Sequence, residues 1–380
     1  MGQKYQIMVG IDGRSISEKL VGVGHYVFNL IQYYTQNGIR CIVFTKRTSD
    51  LLSNLKNKYL KIIQIEPSAN LKTQEQNHDW EQNKLAPILK KIKLDIYHAT
   101  DSAGIPKGIQ IPTIVTIHDL IPYLIPVIQN EAEFKYYKMR IETAILVAKK
   151  IIAISNSTKN DIEKILKIPP SDIRVIYQGI SKFKKSPKYC WDSLKQKFNI
   201  QKRFLIYVGG IARRKNIDKL IIALSLLKPA LDFQLVVVGQ KHKPLNDELN
   251  EIARKNGVHK EIVFTGYLED KDKNTLLENA EMLIYLSSYE GFGLPILEGF
   301  QAEVPVITSN VSSMPEIAGK AAYLINSRDS ESIAKAVRKL STDEKLKHLL
   351  VKKGKIRVQD FSWEKTAQET LSLYQELIKE

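Results

Sequence analysis

Short apolar runs alternate with longer amphipathic segments along the whole chain. The runs are rich in Ile and Val, which is typical of strands buried on both faces of a parallel sheet. They predict strands at Gln6–Ile11, Cys41–Thr45, Ile62–Ile65, Ile96–His98, Thr113–Ile117, Ile151–Ile154, Phe204–Val208, Gln234–Val238, Ile262–Phe264, Met282–Leu286 and Val304–Thr308. The segments between them place apolar residues at helical spacing, as in Asp79–Lys91, Glu131–Lys149, Ser157–Leu166 and Ile217–Leu227. This alternation predicts an α/β fold with parallel sheets.

The alternation is interrupted between Gly179 and Arg203. Residues 180–187 are basic and lack both periodicities, as an interdomain linker would. Because 380 residues exceed one ordinary core, we expect two domains. We predict Rossmann-like domains at 1–180 and 203–362, a basic linker at 181–202, and a final helix at 363–380 that packs back on the first domain. Ligands of such sheets bind beyond the carboxyl ends of the strands, so the two domains are expected to face a central cleft.

The composition narrows the class of protein. Apolar residues make up 43% of the chain and charged residues 26%, as in globular proteins. No apolar run approaches the roughly 20 residues that span a bilayer, and the N-terminus lacks a signal-peptide pattern, so we expect a cytoplasmic protein. Cys41 and Cys190 are far apart and lack neighbouring histidines, which fits a reduced compartment without a disulfide framework or a metal site.

The formal net charge is +16, and residues 182–203 alone hold eight basic residues against one acid. A basic surface of this kind attracts phosphates, anionic lipid headgroups or nucleic acid. It is equally compatible with a lysine-rich composition that only keeps the protein dissolved. Charge by itself therefore leaves the partner open.

A pair of glutamates carries the strongest chemical signal. Glu290 follows an apolar run and lies among glycines, and Glu298 follows Pro295, a residue that favours the first turn of a helix. Gly291 and Gly293 would allow the backbone to approach a ligand closely. This order of strand, glycine-rich loop and helix suits a polyhydroxylated, phosphorylated ligand. For Glu298 the alternative is a first-turn acid that interacts only with the helix dipole.

Other strand ends carry polar or basic residues. Lys215 follows a glycine pair and begins a helix, where a cation and helix N–H groups would bind a diphosphate. His118 follows a predicted strand, at the edge of the sheet where ligands bind. Asp119 either orients His118 or an acceptor, or caps the turn. The segment Gly22–Gly24 precedes a helix but matches a dinucleotide fingerprint only loosely.

Six fragments together resemble the retaining GT-B glycosyltransferases of family four. They occur in the order typical of that family and cover nearly the whole chain. The fragments are Gly22–Tyr26, Ile117–Leu120, Ile154–Ser157, Tyr207–Asn216, Glu290–Glu298, and Val304–Thr308 together with Met314–Gly319. The fold class that the resemblance implies is GT-B, with two Rossmann-like domains.

The resemblance also implies roles for single residues. Glu290, His118 and Lys215 would be catalytic, with Glu290 and His118 at the donor sugar and Lys215 at the diphosphate. The implied donor-binding residues are Gly22, Val23, Gly24, Gly209, Gly210, Arg214, Lys215, Gly266, Tyr267, Leu268, Gly291, Phe292, Gly293, Leu294 and Glu298. Among these, Glu298 would bind the ribose diol, and the backbone of residues 266–268 would contact the nucleobase. The family usually has an arginine where Gly210 stands, so Arg213 or Arg214 is expected to replace it.

The implied reaction moves a hexose from a nucleotide diphosphate sugar to an acceptor hydroxyl with retention, in polysaccharide or glycolipid synthesis. The loop at His118 favours GDP-mannose over UDP-glucose. We expect no cofactor besides this donor substrate and no metal, since the acids Asp270 and Asp272 open a helix, where acids act as caps. The acceptor would be a saccharide or a lipid-linked sugar. The basic, aromatic stretch Phe134–Arg140 suggests peripheral contact with the anionic inner face of the membrane.

Other classes of function are weaker but distinct. A nucleotide-sugar epimerase or hydrolase of the same fold remains open. A dinucleotide oxidoreductase is disfavoured because the glycine fingerprint and its ribose-binding acid are poor. A nucleic-acid-binding module is disfavoured because no motif interleaves basic and aromatic residues, and we expect no nucleic-acid partner.

Overall fold

The computed structural model describes residues 7–18, 20, 22–69, 73–101, 105–125, 130–185, 187–240 and 242–380. Of the predicted segments, Gln6 in the first strand and Ser186 in the linker lie outside the described residues. The chain divides into two compact units. The first comprises Met1–Gly179 and Ser362–Glu380, and the second comprises Ile180–Phe361.

The first unit is a parallel sheet in which helices join most successive strands, whereas the described residues between β4 and β5 form no helix. Its strands are β1 Met8–Asp12, β2 Arg40–Thr45, β3 Leu60–Gln64, β4 Ile96–Ala99, β5 Thr113–Ile117, β6 Lys150–Ala153 and β7 Ile173–Val175. They lie in the order β3-β2-β1-β4-β5-β6-β7. The connecting α-helices are α1 Val23–Gln36, α2 Asp50–Ser53, α3 Thr73–Asp79, α4 Ala86–Lys91, α5 Ile121–Leu124, α6 Glu131–Val147 and α7 Asn156–Asp161. This strand order puts the polar strand ends of β1, β2 and β4 next to one another, as in doubly wound folds.

The second unit repeats the plan with six parallel strands. They are β8 Phe204–Val208, β9 Gln234–Val238, β10 Ile262–Gly266, β11 Met282–Tyr285, β12 Val306–Ser309 and β13 Tyr323–Ile325, in the order β10-β9-β8-β11-β12-β13. Its α-helices are α8 Lys188–Lys197, α9 Ile217–Leu227, α10 Lys243–Lys255, α11 Asp270–Glu278, α12 Leu294–Gln301, α13 Met314–Ala318, α14 Ser330–Thr342 and α15 Glu344–Arg357. The four central strands are buried along their whole length, which explains their unbroken apolar sequence.

Three helical regions depart from the predicted pattern, and one of them is the π-helical segment Ile162–Leu166 that follows α7. The apolar periodicity over residues 79–91 predicted one helix, but a π-helical segment, Trp80–Leu85, lies between α3 and α4. The indole Nε1 of the fully buried Trp80 donates a hydrogen bond to the carbonyl of Ile65 at 2.7 Å. Residues 181–202, predicted to be a linker, contain helix α8 and lie within the second unit. Trp191 of this helix stacks on Phe204 at the start of β8, with ring centroids 5.8 Å apart.

The C-terminal helix, Trp363–Lys379, is part of the first unit. Its buried face includes Leu373, Tyr374 and Leu377, which join the apolar cluster formed by α1 and one face of the sheet. The ring of Tyr374 lies 5.9 Å from that of Tyr34 on α1. Among the described residues, no helix is both long and apolar enough to cross a bilayer.

Candidate functional site

The loop between β11 and α12 holds Glu290 in a fixed backbone conformation. The hydroxyl of Ser313 donates to the carbonyls of Glu290 and Phe292 at 2.9 and 2.6 Å. The N–H of Glu290 donates to the hydroxyl of Ser312 at 3.2 Å. Gly293 precedes the helix with φ = 115°, a left-handed conformation that a side chain would strain. The carboxylate of Glu290 is thus held at the carboxyl edge of the sheet, close to the start of α12.

Two cations converge on that carboxylate. The guanidinium of Arg214 and the ammonium of Lys215 both donate to Oε1 of Glu290. Lys215 also donates to the hydroxyl of Tyr285 at 2.8 Å, and its ammonium lies 4.9 Å from the centre of that ring. Burial would raise the pKa of Glu290, but Lys215 and Arg214 outweigh it and lower that pKa below its ordinary value. The carboxylate therefore stays ionised between two cations, and the three side chains carry a net positive charge.

The loop after β8 brings these cations into place. The backbone carbonyl of Arg214 accepts hydrogen bonds from the N–H and the hydroxyl of Ser288, at 2.7 and 2.9 Å, which ties the two loops together. Gly239 allows a second close approach, because a Cβ atom on this residue would lie 1.9 Å from the carbonyl oxygen of Gly209. Glycine at position 239 is therefore required by packing between the loops after β8 and β9.

The structure distinguishes the two arginines that could replace the one absent at Gly210. Arg214 donates to Glu290 and, at 2.9 Å, to the carbonyl of Tyr289. Arg213 instead pairs with Glu248 of α10 at 2.7 Å, and both side chains are largely exposed. A Cβ atom on Gly210 would meet nothing within 4 Å, so packing does not exclude a side chain there. Arg214 is therefore the guanidinium at this site.

Glu298 lies in the first turns of α12 and has its own cation. The ammonium of Lys273 on α11 lies 2.6 Å from Oε1 of Glu298 and 2.8 Å from a carboxylate oxygen of Asp270. Burial opposes the charge on Lys273, but the two carboxylates prevail and raise its pKa above the ordinary value. Glu298 is thus held in place by an ion pair as well as by the positive end of its helix.

The predicted base-binding corner lies at the end of β10. Gly266 has φ = 78°, and its carbonyl accepts hydrogen bonds from the N–H of Gly239 at 3.1 Å and from the hydroxyl of Thr265 at 2.8 Å. Tyr267 follows with 42% of its surface exposed, and Leu268 is partly buried. The corner therefore presents an aromatic ring and turn backbone at the carboxyl edge of the sheet.

The first unit contains the remaining predicted site residues. Nε2 of His118 lies 2.8 Å from the carbonyl oxygen of Thr100. Since a carbonyl only accepts, Nε2 carries the proton, and Nδ1 of the neutral ring holds a lone pair. Burial lowers the pKa of His118, which favours this neutral form. Asp119 accepts from the N–H of Ile121 at 2.9 Å, so its carboxylate caps the following turn.

The two glycines at the start of α1, Gly22 and Gly24, differ in how closely other atoms pack against them. Gly22 precedes the helix with φ = 44°, and a Cβ atom there would meet nothing within 4 Å. Gly24 is buried, and its Cβ atom would lie 2.7 Å from the carbonyl oxygen of Ser15. Val23 is partly buried against the core of the unit. Gly24 therefore has a packing role, whereas Gly22 leaves open space at the helix N-terminus.

The structure brings Arg214, Lys215 and Glu290 into direct contact within the second unit, and it pairs Glu298 with Lys273. Sequence reasoning missed Lys273 and Tyr285. Tyr285 ends β11, so the rule that ligand-facing residues follow parallel strands could have found it. Lys273 lies on a helix, and no sequence pattern marks it. Among the described residues, no group of three or more His, Cys, Asp and Glu side chains is arranged to hold a metal ion.

Comparison with known proteins defines the class. The model for "Glycosyl transferases group 1" matches residues 192–357, and the model for "Glycosyltransferase Family 4" matches residues 21–182. The O-antigen chain mannosyltransferase B of Escherichia coli is 27% identical over 266 residues, which are 69% of each chain. This protein is a glycosyltransferase.

Solved structures agree on the fold. Sucrose-phosphate synthase from Thermosynechococcus elongatus superposes with a TM-score of 0.79 at 19% identity, over 98% of this chain and 100% of that one. Anabaena Alr3699/HepE in complex with UDP-glucose gives a TM-score of 0.74 at 16% identity, over 97% and 100% of the two chains. The two family models together match most of the chain, which is a group 1, family-four-like glycosyltransferase with the GT-B fold. The predicted fold class and the predicted enzyme class are both confirmed.

Proposed function

We propose that this glycosyltransferase moves a hexose from a nucleotide diphosphate sugar to an acceptor hydroxyl with retention of anomeric configuration. The donor is GDP-mannose in preference to UDP-glucose. The acceptor is a saccharide or a lipid-linked sugar, and the product belongs to polysaccharide or glycolipid synthesis. The reaction needs only the nucleotide sugar and the acceptor. It uses no metal ion and no other cofactor.

One observation carries this proposal: Arg214 and Lys215 converge on Glu290 beside the N-terminus of α12. A donor diphosphate supplies negative charge that two cations and helix N–H groups can bind. Without donor, the carboxylate of Glu290 balances part of the positive charge. When a diphosphate binds the cations, Glu290 becomes available to accept hydrogen bonds from sugar hydroxyls.

In the proposed step, the bond between the anomeric carbon and the phosphate oxygen breaks, and its electron pair stays on the phosphate. The acceptor oxygen bonds to the anomeric carbon on the face that the phosphate leaves, and its proton passes to the leaving phosphate. Lys215 and Arg214 stabilise the charge that develops on the phosphate. The ionised Glu290 stabilises the positive charge that develops on the sugar ring.

The preference for mannose rests on the mannosyltransferase relative and on the loop at His118. The glucose alternative rests on the complex of Anabaena Alr3699/HepE with UDP-glucose. Thermal unfolding with a panel of GDP- and UDP-sugars tests both, followed by transfer assays with the sugar that stabilises most. Stabilisation by NAD or by no nucleotide sugar would contradict the proposal. Stereochemistry of the product, read from the anomeric proton coupling, tests retention.

Peripheral membrane contact through α6 is the least supported part of the proposal. Lys135 and Lys138 of this helix are exposed, but they pair with Glu131 and Glu142, and Arg140 is drawn inward to Glu81. The basic stretch therefore offers less charge to a lipid surface than the sequence suggests. A cytoplasmic location fits the two buried, reduced cysteines, Cys41 and Cys190. Cosedimentation with phosphatidylglycerol vesicles and with neutral vesicles tests the membrane contact.

A further inference from the structure

A cluster of mostly buried charged side chains in the first unit contains none of the residues assigned to the donor. Asp12 ends β1, and the guanidinium of Arg14 binds its carboxylate at 2.6 to 3.1 Å. The same guanidinium donates to Oε1 of Glu81 at 2.5 Å and lies 4.5 Å from the ring of Trp80. Glu81 and Trp80 belong to the π-helical segment, a local irregularity that is frequent at functional sites.

A second guanidinium reaches the same carboxylate. The Nη2 atom of Arg140 on α6 donates to Oε1 of Glu81 at 2.6 Å. The Nε atom of Arg140 is buried and has no hydrogen-bond partner among the described residues. A guanidinium N–H that is removed from water without a partner is costly, because its desolvation is not offset. A ligand oxygen that accepts a hydrogen bond from Nε of Arg140 would offset this cost.

A third cation completes the cluster. Lys46 directly follows β2, the neighbour of β1, and donates to the side chain of Asn77. Burial and the positive potential of Arg14 and Arg140 lower the pKa of Lys46, although Glu81 and Asp12 act in the opposite direction. The environment of Lys46 is therefore already rich in positive charge. Among the described residues, the cluster thus brings three cations near two carboxylates, those of Asp12 and Glu81, and its net charge is positive.

The exposed fractions of the side chains show which part of the cluster is nearer to solvent. The side chains of Asp12 and Glu81 are 3% and 2% exposed, whereas those of Arg14 and Arg140 are 12% and 16% exposed. The acids therefore lie beneath the cations, and the cations reach the surface. Arg140 and Glu81 also line a small depression, together with His78, Gln82, Lys107, Met139 and Thr143.

We propose that Arg14, Lys46 and Arg140 bind a phosphate group of the acceptor, so that this enzyme glycosylates a phosphorylated acceptor. The inference rests on the proposed function, since it assigns the second substrate of the same reaction. Phosphate oxygens accept charge-assisted hydrogen bonds from guanidinium and ammonium groups, and the planar guanidinium suits two of them at once. The site lies at the carboxyl edge of the first sheet, where α/β domains bind ligands. A neutral saccharide would leave the excess charge and the Nε donor unmatched.

The test separates the two phosphate sites by occupying the donor site first. The 380-residue chain is saturated with GDP, or with UDP if GDP does not bind, and inorganic pyrophosphate is then titrated by calorimetry. We expect wild-type protein to bind pyrophosphate, and Arg140→Met and Lys46→Met each to weaken it about tenfold or more. Arg174→Met removes the same charge from an exposed pair with Glu376 in the same unit, and should bind as wild type.

The outcomes distinguish the two proposals. If neither nucleotide binds, the proposed function fails. If a nucleotide binds but pyrophosphate does not, or if Arg140→Met and Lys46→Met bind pyrophosphate like wild type, the acceptor-phosphate site is wrong and the proposed function stands. Lys46→Met leaves all contacts of Glu81 intact, so its effect cannot be attributed to unfolding of the cluster.

Two further binding experiments test whether the phosphate group of the acceptor belongs to a soluble sugar phosphate or to a lipid headgroup. Glucose 1-phosphate in solution represents a soluble sugar phosphate, and phosphatidylglycerol vesicles represent a lipid headgroup. Binding of either probe that is lost in Arg140→Met and kept in Arg174→Met supports the site and assigns the source. Binding of neither probe by wild-type protein would overturn the inference even if pyrophosphate binds.

Discussion

The ammonium of Lys273 lies 2.6 Å from the carboxylate oxygen Oε1 of Glu298. The two residues come from different helices, α11 and α12, and both side chains are mostly buried, at 17% and 21% exposure. Lys273 engages one carboxylate oxygen and so fixes the direction of the other. We infer that Lys273 is a positioning residue that holds Glu298 ready to accept hydrogen bonds from a ribose diol.

Replacing Lys273 tests this role. Lys273→Met should raise the KM for the donor about tenfold and change kcat little, because the lost interaction acts on donor binding. Lys273→Arg should restore part of the affinity, since a guanidinium can also reach the carboxylate. The exposed Lys335→Met on α14 is the matched control. If the KM for the donor is unchanged in Lys273→Met, the contact between Lys273 and Glu298 has only a structural role.

The contact between Lys215 and Glu290 predicts strong coupling. Lys215→Met and Glu290→Gln should each reduce transfer at least about 100-fold, as expected for groups that act on the developing charges. In urea unfolding, the double variant should lose less free energy of unfolding than the sum of the single variants, by about 1 to 3 kcal/mol. The reason is that each single change leaves the buried partner short of a counterion.

The exposed pair of Arg213 and Glu248 is the control for this comparison of single and double variants, since Arg213 lies two residues from Lys215 along the chain. Arg213→Met and Glu248→Gln should be additive to within about 1 kcal/mol, as is usual for exposed ion pairs. Additive losses at Lys215 and Glu290 would mean that their contact contributes little to the folded state.

The tautomer of His118 predicts different effects for two near-isosteric substitutions. In His118→Gln the side-chain amide can keep the hydrogen bond to the carbonyl of Thr100 but has no acceptor at the position of Nδ1. In His118→Asn an oxygen lies near that position, and the bond to Thr100 is lost. If Nδ1 accepts a hydrogen bond from the donor sugar, transfer should fall more in the Gln variant. Equal loss in both, measured as kcat/KM, would argue against a contact through Nδ1.

His98 predicts how stability depends on pH. It is fully buried between the Tyr374 hydroxyl, 2.5 Å from Nδ1, and the Thr116 hydroxyl, 2.7 Å from Nε2, and burial lowers its pKa from 6.5 to about 3. Below the ordinary pKa the unfolded chain therefore binds a proton that the folded chain does not. Stability should fall as pH drops from about 7 to about 4.5, by about 3 kcal/mol from this residue. His98→Gln should show a shallower dependence in urea unfolding, and identical slopes would exclude His98 as the source.

Metal independence is tested by removing metals. Transfer should continue in excess EDTA at an unchanged rate, because Lys215 and Arg214 supply the positive charge that a divalent ion would otherwise provide. The measurement is the initial rate before and after chelation. Loss of activity that magnesium or manganese restores would show that a metal ion takes part.

The secondary structure was predictable where the sequence repeats a strong pattern. The central strands and the helix Trp363–Lys379 follow from apolar runs and helical spacing. The strands β7 and β13 were not predicted, since three residues carry too little periodicity. The π-helical segment at Trp80 could not be predicted either, because its hydrogen-bond register depends on where the indole packs.

The sequence by itself determined the class of this protein and the identity of Glu290, Glu298 and Lys215 as candidates, because short motifs at strand ends are local features. Only the tertiary structure decided which charges meet. It selects Arg214 over Arg213 and pairs Glu298 with Lys273, which is 25 residues away along the chain. It also brings Arg14 and Arg140, which are far apart along the chain, onto the carboxylate of Glu81. Contacts of this kind depend on how helices pack on the sheets, and chain spacing does not encode that geometry.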